Sequence, residues 1–510
     1  MTGSAWIAVA LVALCGVAVV LFATSVGVGV TPDSVAYIAA ARGLLQGLGL
    51  ATPRPEGHAS PFVFYAPLFP ALLAAIGSAG VDPLIGARWL NAALFAANIL
   101  LAASIIAADS GSIVAALCGA ALLLISLPLL SAHAMAWSEP SFILLSLLAL
   151  YWLSRYASAA PRRSAAAAGV AVGLAILSRY AGVFLIGVGL IVILAADRPR
   201  RARIVDGGVF AAISGLLAGL WLARNWLVAR TLTDHRPALH PIALPQLQRG
   251  ADAITGWWWL GASPLRVGLA IAAAALGALV AQSLAPALQS DQPAGRRLST
   301  GARSAPVART AIIFIAAYAL FLPISISFVD AATPLDDRIL APALAWALIG
   351  GASAAAHRPR LRPLLAALAI WFAAAQMLHA VPWIVDAHRG GQGYATPDWQ
   401  QSPTLARVRA LPPQTRIFSN GDDAIYLLTG RLAERLPEQT HPSTAGASDL
   451  YAAELDRLRR RIAESPSVVV YLSRIDWRAY LISAAALQRE VELQPLAVES
   501  DGVIYSARAR

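Results

Sequence analysis

The chain contains no lysine; all 39 of its basic residues are arginine. Charge of either sign is scarce, at 13% of 510 residues, where soluble domains carry about 25%. With 58% hydrophobic residues and a mean hydropathy of +0.63, the composition excludes a soluble globular protein and describes a polytopic membrane protein. The formal charge of +11 is not a nucleic-acid signal, because much of the arginine falls in short loops between apolar segments. Cysteine is nearly absent. Cys15 and Cys118 both lie inside apolar runs and read as small packed residues, not as a disulfide or metal pair. The first apolar run lacks a basic n-region and an A-x-A cleavage site, so it reads as a retained helix. There is no Gly-rich nucleotide loop.

What the chain does have is about eleven apolar segments of spanning length or slightly less. They lie near 4–26, 84–107, 112–131, 137–156, 164–178, 180–196, 206–228, 264–285, 309–329, 335–356 and 361–383. Two shorter pieces, 34–46 and 68–80, flank a polar, Pro-rich loop at 51–67 and read as amphipathic helices on the membrane surface. Arginine marks every second inter-span loop: Arg155, Arg162 and Arg163; then Arg198, Arg200, Arg201 and Arg203; then Arg296, Arg297, Arg303 and Arg309; then Arg358, Arg360 and Arg362. The positive-inside rule therefore places the N-terminus in the cytoplasm. Asp33, loop 51–67, loop 230–262 and the tail fall outside. The expected division is a membrane domain, 1–383, and an extracytoplasmic α/β domain, 384–510. In that tail, 416–419 and 468–472 have strand composition, 423–428 and 452–462 read as helices, and 499–505 reads as a hairpin turning at Asp501-Gly502.

Polar residues in such a chain are candidates for function. Thr31 and Pro32 end the first span, and Pro32 suits the first turn of a new helix, where the carboxylate of Asp33 is favoured. A carboxylate held above the membrane on a helix that does not span reads as the centre of an active site. Arg88, His133, Glu139, Arg179, Arg224, Asp336, Asp337 and Arg338 also gather at the expected outer helix ends. A transporter would place its ionisable groups near the midplane. Glu139, in Trp137-Ser138-Glu139-Pro140, reads either as a first-turn complement to the helix dipole or as a second acid facing Asp33. His133 reads either as an interfacial hydrogen-bonding residue or as a member of the site. The arginines either snorkel or converge as a phosphate clamp. Asp336 and Asp337 read as loop carboxylates paired with Arg338, and Trp257, Trp258 and Trp259 as an interfacial anchor or a sugar platform.

Taken in chain order, Pro32-Asp33-Ser34 with Tyr37, Ala41-Arg42-Gly43-Leu44-Leu45, Tyr65-Ala66-Pro67-Leu68-Phe69-Pro70, Ser138-Glu139-Pro140, Leu177-Ser178-Arg179-Tyr180, Arg224-Asn225 and Asp337-Arg338-Ile339-Leu340 resemble the GT-C membrane glycosyltransferases. The similarity is to the bacterial branch related to protein O-mannosyltransferases and the lipid A aminoarabinose transferase, and it spans roughly 30–345. It implies inverting transfer of a sugar from a polyprenyl-phosphate carrier to an extracytoplasmic acceptor (a cell-envelope glycan, lipid or protein) at the bacterial plasma membrane. It implies that Asp33 is the base or acceptor-positioning residue, with Glu139 as a further catalytic acid. Arg179, Arg224, Arg338 and Arg88 are then donor-phosphate ligands, and Tyr37, Tyr65, His133 and Asn225 substrate contacts. Many relatives carry adjacent Asp-Glu where this chain has Asp33-Ser34. A second acid must then come from elsewhere, such as Glu139, or the site works with one. Use of a divalent cation is left open. The competing readings are a flippase or transporter of lipid-linked glycans and a non-catalytic scaffold presenting the tail.

Single cysteines at Ser60 and Ser299 test the orientation. An impermeant thiol reagent on intact cells is expected to label the first and spare the second; labelling of both from one side overturns it.

Overall fold

In lipid a backbone N–H or C=O finds no water, so an apolar segment satisfies its own polar groups as a helix. The computed structural model describes residues 3–55, 57, 59–158, 161–235, 237–259, 305–441 and 446–507. The chain enters as α1 (Gly3–Ala23) and turns into α2 (Pro32–Leu45). A two-stranded antiparallel hairpin, β1 (Ala51–Pro53) and β2 (Ala59–Pro61), and the short α3 (Leu68–Gly77) follow. Then come α4 (Pro83–Ser110), α5 (Ile113–Ile125), α6 (Leu127–Ala134), α7 (Glu139–Ala157), α8 (Arg163–Ser178), a 3-10 turn (Tyr180–Val183), α9 (Phe184–Leu194), α10 (Arg200–Ala229) and α11 (Leu244–Gly256). The membrane part closes with α12 (Pro306–Phe328), α13 (Asp337–His357) and α14 (Arg362–Gly390).

Seven of the described helices, α1, α4, α7, α10, α12, α13 and α14, are long and apolar enough to cross a membrane, and α5 with α6 makes an eighth if that bent pair is one span. The expected segment at 264–285 lies outside the described residues; every other expected segment falls on a helix. Among the described residues the full-length spans number seven, or eight with the bent pair. α8 and α9, with 16 and 11 residues, are shorter than the roughly 20 residues a crossing needs. The α5–α6 pair bends by 58° at Ser126, whose extended backbone precedes Leu127-Pro128. Burial sorts the long helices. α4, α7 and α13 bury 56%, 61% and 67% of their most apolar windows inside the protein, whereas α1, α10, α12 and α14 bury 22–28% and form the periphery. Glu139 and Arg338 stand on two of these interior helices, α7 and α13.

The 24–31 linker is held to the rest by backbone. Gly29 N–H donates to Ala134 O at 2.9 Å, Ala136 N–H donates to Gly29 O at 2.8 Å, and Tyr394 N–H donates to Val30 O at 2.9 Å. The start of α2, the loop before α7 and the segment after α14 are therefore in fixed register. Beyond α14 lie α15 (Pro397–Gln400), α16 (Pro403–Ala410), β3 (Arg416–Ser419), α17 (Asp422–Thr429), β4 (Glu434–Arg435), α18 (Tyr451–Glu464), β5 (Ser467–Leu472), α19 (Ala484–Glu490), β6 (Leu493–Glu499) and β7 (Gly502–Ala507). Their five-stranded sheet has the order β4-β3-β5-β7-β6; β3 is parallel to β4 and β5, and β7 is antiparallel to β5 and β6. The strands and helices expected in the tail are all present. Glu499 pairs with Gly502, so the hairpin turns at Ser500-Asp501 and not at Asp501-Gly502. α14 also runs past the expected boundary at 383, to Gly390.

α2 differs from the expected surface helix. Its Ala-rich sequence is apolar on both faces, and Val35, Tyr37, Ile38, Ala40 and Ala41 share one buried cluster with Phe69 and Leu73 of α3 and with Leu405, Ile417, Ile425 and Val468 of the tail. It is enclosed between the membrane helices and the α/β layer.

Gly393 tests the backbone registration. Its φ is +56°, and a Cβ there would stand 2.0 Å from Val30 O. Gly393→Val is expected to destabilise the protein by about 1–3 kcal/mol in denaturant unfolding of the solubilised protein; wild-type unfolding overturns this.

Candidate active site

The site begins with a helix cap. Thr31 stands before α2, and the Oγ of Ser34 accepts the Thr31 N–H at 3.1 Å. Ser34, which the sequence comparison marks as the place of a missing acid, is fully buried and holds the first turn closed. The Thr31 hydroxyl in turn accepts Trp137 Nε1–H at 2.8 Å. The Trp137 ring lies under Arg338, 4.1 Å from its guanidinium carbon. Cap, indole and guanidinium thus form one connected stack, and Asp33 is placed by it.

Asp33 Oδ2 lies 2.7 Å from Arg338 Nη2, and its Oδ1 accepts the Tyr65 hydroxyl at 2.8 Å. Arg338 reaches further: its Nε pairs with Oε1 of Glu139. Arg179 Nη1 pairs with the same oxygen and lies 3.4 Å from Ser138 Oγ, which also contacts the Tyr37 hydroxyl at 3.2 Å. Two carboxylates and two guanidiniums therefore balance in charge, with Arg338 shared between the acids. Each member comes from the end of a helix. Asp33 and Glu139 occupy the first turns of α2 and α7, Arg338 that of α13, and Arg179 the extended residue between α8 and the 3-10 turn. Glu139 is only 2% exposed, and its Oε2 has no hydrogen-bond partner among the described residues. Asp33, at 28%, is the most open of the four.

The electrostatics follow from this packing. Burial pushes the Asp33 carboxyl up, but the Arg338 charge, the Tyr65 hydroxyl and Arg179 outweigh it, and the group lies below its ordinary value. Burial and the Asp33 charge push the Tyr65 phenol well above its usual value, and Tyr37 rises for the same reasons. Both phenols stay neutral donors.

The structure brings together Asp33, Glu139, Arg179, Arg338, Tyr37 and Tyr65. The other sequence candidates have different partners. Arg224 donates to Leu50 O at 2.8 Å and Phe62 O at 3.1 Å, binding α10 to the ends of the β1–β2 hairpin, and it faces Trp221. Asn225 donates to Leu232 O at 2.7 Å and to Tyr180 Oη at 3.3 Å. The Tyr180 hydroxyl donates to Val63 O and Tyr65 O, so both residues buttress the loop that carries Tyr65. Arg88 donates to Thr24 Oγ1 and Leu21 O at the C-terminal end of α1. His133 is buried between Asn98, at 3.0 Å, and Leu129 O, at 2.6 Å. Asp336 and Asp337 do not pair with Arg338. Asp336 caps α13 by accepting Ile339 N–H, and Asp337 accepts Trp257 Nε1–H at 2.7 Å, so that Trp257 anchors α11 to the helix bearing Arg338. Sequence reasoning gave Trp137 no role; its only sequence signal is its place beside Ser138-Glu139-Pro140. Among the described residues no three His, Cys, Asp or Glu gather as a metal site.

Comparison with known proteins adds to this geometry. Residues 72–205, which include Glu139 and Arg179, match the family described as dolichyl-phosphate-mannose-protein mannosyltransferase. Crystal structures of ArnT from Cupriavidus metallidurans are similar over 100% of both chains. The apo form aligns with a TM-score of 0.54 at 14% identity, and the form bound to undecaprenyl phosphate with 0.52 at 15%. A comparison with curated protein sequences gave no match. The chain thus has the fold seen in ArnT, and its residues 72–205 are similar to the dolichyl-phosphate-mannose-protein mannosyltransferase family.

Proposed function

We propose that the protein moves a sugar, with inversion, from a polyprenyl-phosphate carrier to an acceptor on the outer face of a bacterial plasma membrane, and that Asp33 handles the acceptor. The observation that carries this reading is the single guanidinium of Arg338 held between Asp33 and Glu139, with Arg179 beside it. Breaking the bond between sugar and carrier leaves charge on a phosphate. Preorganised guanidiniums stabilise that charge best in a site from which water is excluded. Arg338 and Arg179 are the cations available in this cluster. Asp33, on the more open side, is placed to meet a hydroxyl arriving from water.

The depressed pKa of Asp33 shapes its role. A strong general base has a pKa near the working pH, and Asp33 is pushed the other way. It acts first by accepting a hydrogen bond that orients the acceptor hydroxyl, and takes the proton only as that oxygen bonds to the sugar. A donor phosphate drawing on Arg338 would weaken its hold on Asp33 and raise the basicity of the carboxylate when it is needed. Glu139 Oε2, buried and unpartnered among the described residues, is suited to accept a hydroxyl or amine hydrogen of the sugar. The donor set does not suit a divalent cation. Both acids are already met by guanidiniums, and no step is assigned to a metal.

Transfer from a labelled lipid-linked sugar tests the assignment. Asp33→Asn is expected to slow transfer by about 10²–10⁴-fold while leaving donor binding measurable; undiminished transfer removes Asp33 from the chemistry. Saturable flipping by purified protein in vesicles without transferred product would favour the flippase reading.

The pH profile supplies a second test. A carboxylate with a lowered folded pKa contributes stability above its unfolded value, near 3.8, and loses it as pH falls through the lower folded value. Asp33 is therefore ionised throughout the neutral range. kcat/KM is expected to show no acid limb belonging to Asp33 between about pH 5 and 8. An acid limb in that window that Asp33→Glu displaces overturns the lowered pKa.

A further inference from the structure

The far end of the bundle carries a second polar construction that the transfer chemistry does not use. α4 ends at Ser110, α7 at Ala157 and α13 at His357, and α12 begins at Pro306. These four ends surround a cavity of about 300 Å³ lined by Asp109, Tyr151, Ser154, Arg155, Ser158 and His357, with apolar residues between them. That volume is at the lower end for small-ligand pockets. Glu139 opens α7 and the cavity closes it, so the 19 residues of that helix put the two sites roughly 28 Å apart. This is about the thickness of a bilayer's hydrocarbon core. The cavity lies at headgroup depth in the leaflet opposite the Asp33 cluster.

Its lining carries both signs of charge at different depths. Asp109, 3% exposed, forms the floor. Ser353 Oγ donates to it at 2.5 Å, the Val307 N–H at the start of α12 donates as well, and His357 Nδ1 lies 3.5 Å away. His357 Nδ1 also lies 3.0 Å from Ser353 O, which leaves Nε2 as the ring nitrogen without a named partner. Arg155 is exposed at the rim, and its guanidinium has no ion pair or hydrogen bond among the described residues. A purely anionic ligand would be repelled by the buried carboxylate, and a purely cationic one by Arg155. A group carrying an ammonium and a phosphate a few bonds apart satisfies both.

We infer that this cavity binds a phosphoethanolamine group, its ammonium hydrogen-bonded to Asp109 and its phosphate held by Arg155 and His357 Nε2. A trimethylated ammonium has no N–H to give the carboxylate, and a glycerol headgroup has no charge to offset it. The depth of the cavity favours a lipid headgroup as the source, and free phosphoethanolamine shares the same chemistry.

The test uses the full chain in nanodiscs of equal phosphatidylethanolamine, phosphatidylcholine and phosphatidylglycerol, with retained lipids counted by native mass spectrometry. The wild type is expected to keep one phosphatidylethanolamine about tenfold in preference to the others, a difference of roughly 1.4 kcal/mol. Arg155→Gln and Asp109→Asn are each expected to abolish the preference. Asp109 supports the start of α12, so a failure of Asp109→Asn to fold leaves the decision to Arg155→Gln on the exposed rim. In discs of phosphatidylcholine alone, saturable binding of free phosphoethanolamine that Arg155→Gln removes, without lipid selection in the mixed discs, assigns the site to the soluble ligand. Equal retention of the three lipids with no binding of the free compound overturns the inference, as does a preference that survives Arg155→Gln.

Discussion

One guanidinium shared between two carboxylates is the constraint around which the half of this protein that holds Asp33 is arranged. Arg338 comes from the interior helix α13, and Asp33 and Glu139 come from two other helix starts. A group of this kind has little tolerance for misplacement. Removing one partner from a buried pair leaves an uncompensated charge at a cost of about 3–5 kcal/mol. The surrounding structure meets that demand with bonds of low freedom: backbone pairs between 29–30 and both 134–136 and 392–394, an indole under the guanidinium, and a serine closing the first turn of α2. Helix starts suit the acids, because unpaired N–H groups and the helix dipole favour negative charge there. Arg338 stands at such a start against that preference, and the two carboxylates offset the penalty.

The membrane helices divide the work. The interior helices α7 and α13 carry Glu139 and Arg338 at one end and line the Asp109 cavity at the other, while more exposed helices surround them. A buried rod is held on all sides, so it positions charges at both its ends better than a peripheral helix would. Arg179 reaches the site by another route. α8 stops short, and the extended residue after it points a side chain inward where a continuous span would have carried it past. The shortness of α8 and α9, which lowers the number of full spans, is what delivers this arginine.

Much of this was legible in the sequence. Pro32 and Asp33 announced a helix start, Pro140 announced another after Ser138-Glu139, and the break at Ser178-Arg179-Tyr180 was visible as two short apolar runs. The tail's strands followed from runs such as 468–472, which the structure places in β5. What the sequence did not carry was partnership between distant residues. Arg88, Arg179, Arg224 and Arg338 look alike as arginines near outer helix ends. Only the packing assigns two of them to the acids, one to the end of α1 and one to the hairpin loop. The role of Ser34 was hidden for the opposite reason. Comparison with an Asp-Glu pattern made it a lost acid, whereas its hydroxyl closes the cap locally. Burial of α2 was illegible because an Ala-rich helix next to a membrane has the composition of a surface helix and of an enclosed one alike.

The enclosure of α2 has a consequence in time. It packs against α17 and shares one buried cluster with Leu405, Ile417, Ile425 and Val468, hundreds of residues later in the chain. At about 5–20 residues per second, synthesis takes roughly 20–90 seconds to travel from the helix to the last of these strands. Throughout that interval the helix that presents Asp33 is made but uncovered, with the bilayer surface its nearest apolar shelter. The cap that presents Asp33 is therefore among the first parts of the protein to be translated and among the last to be completed.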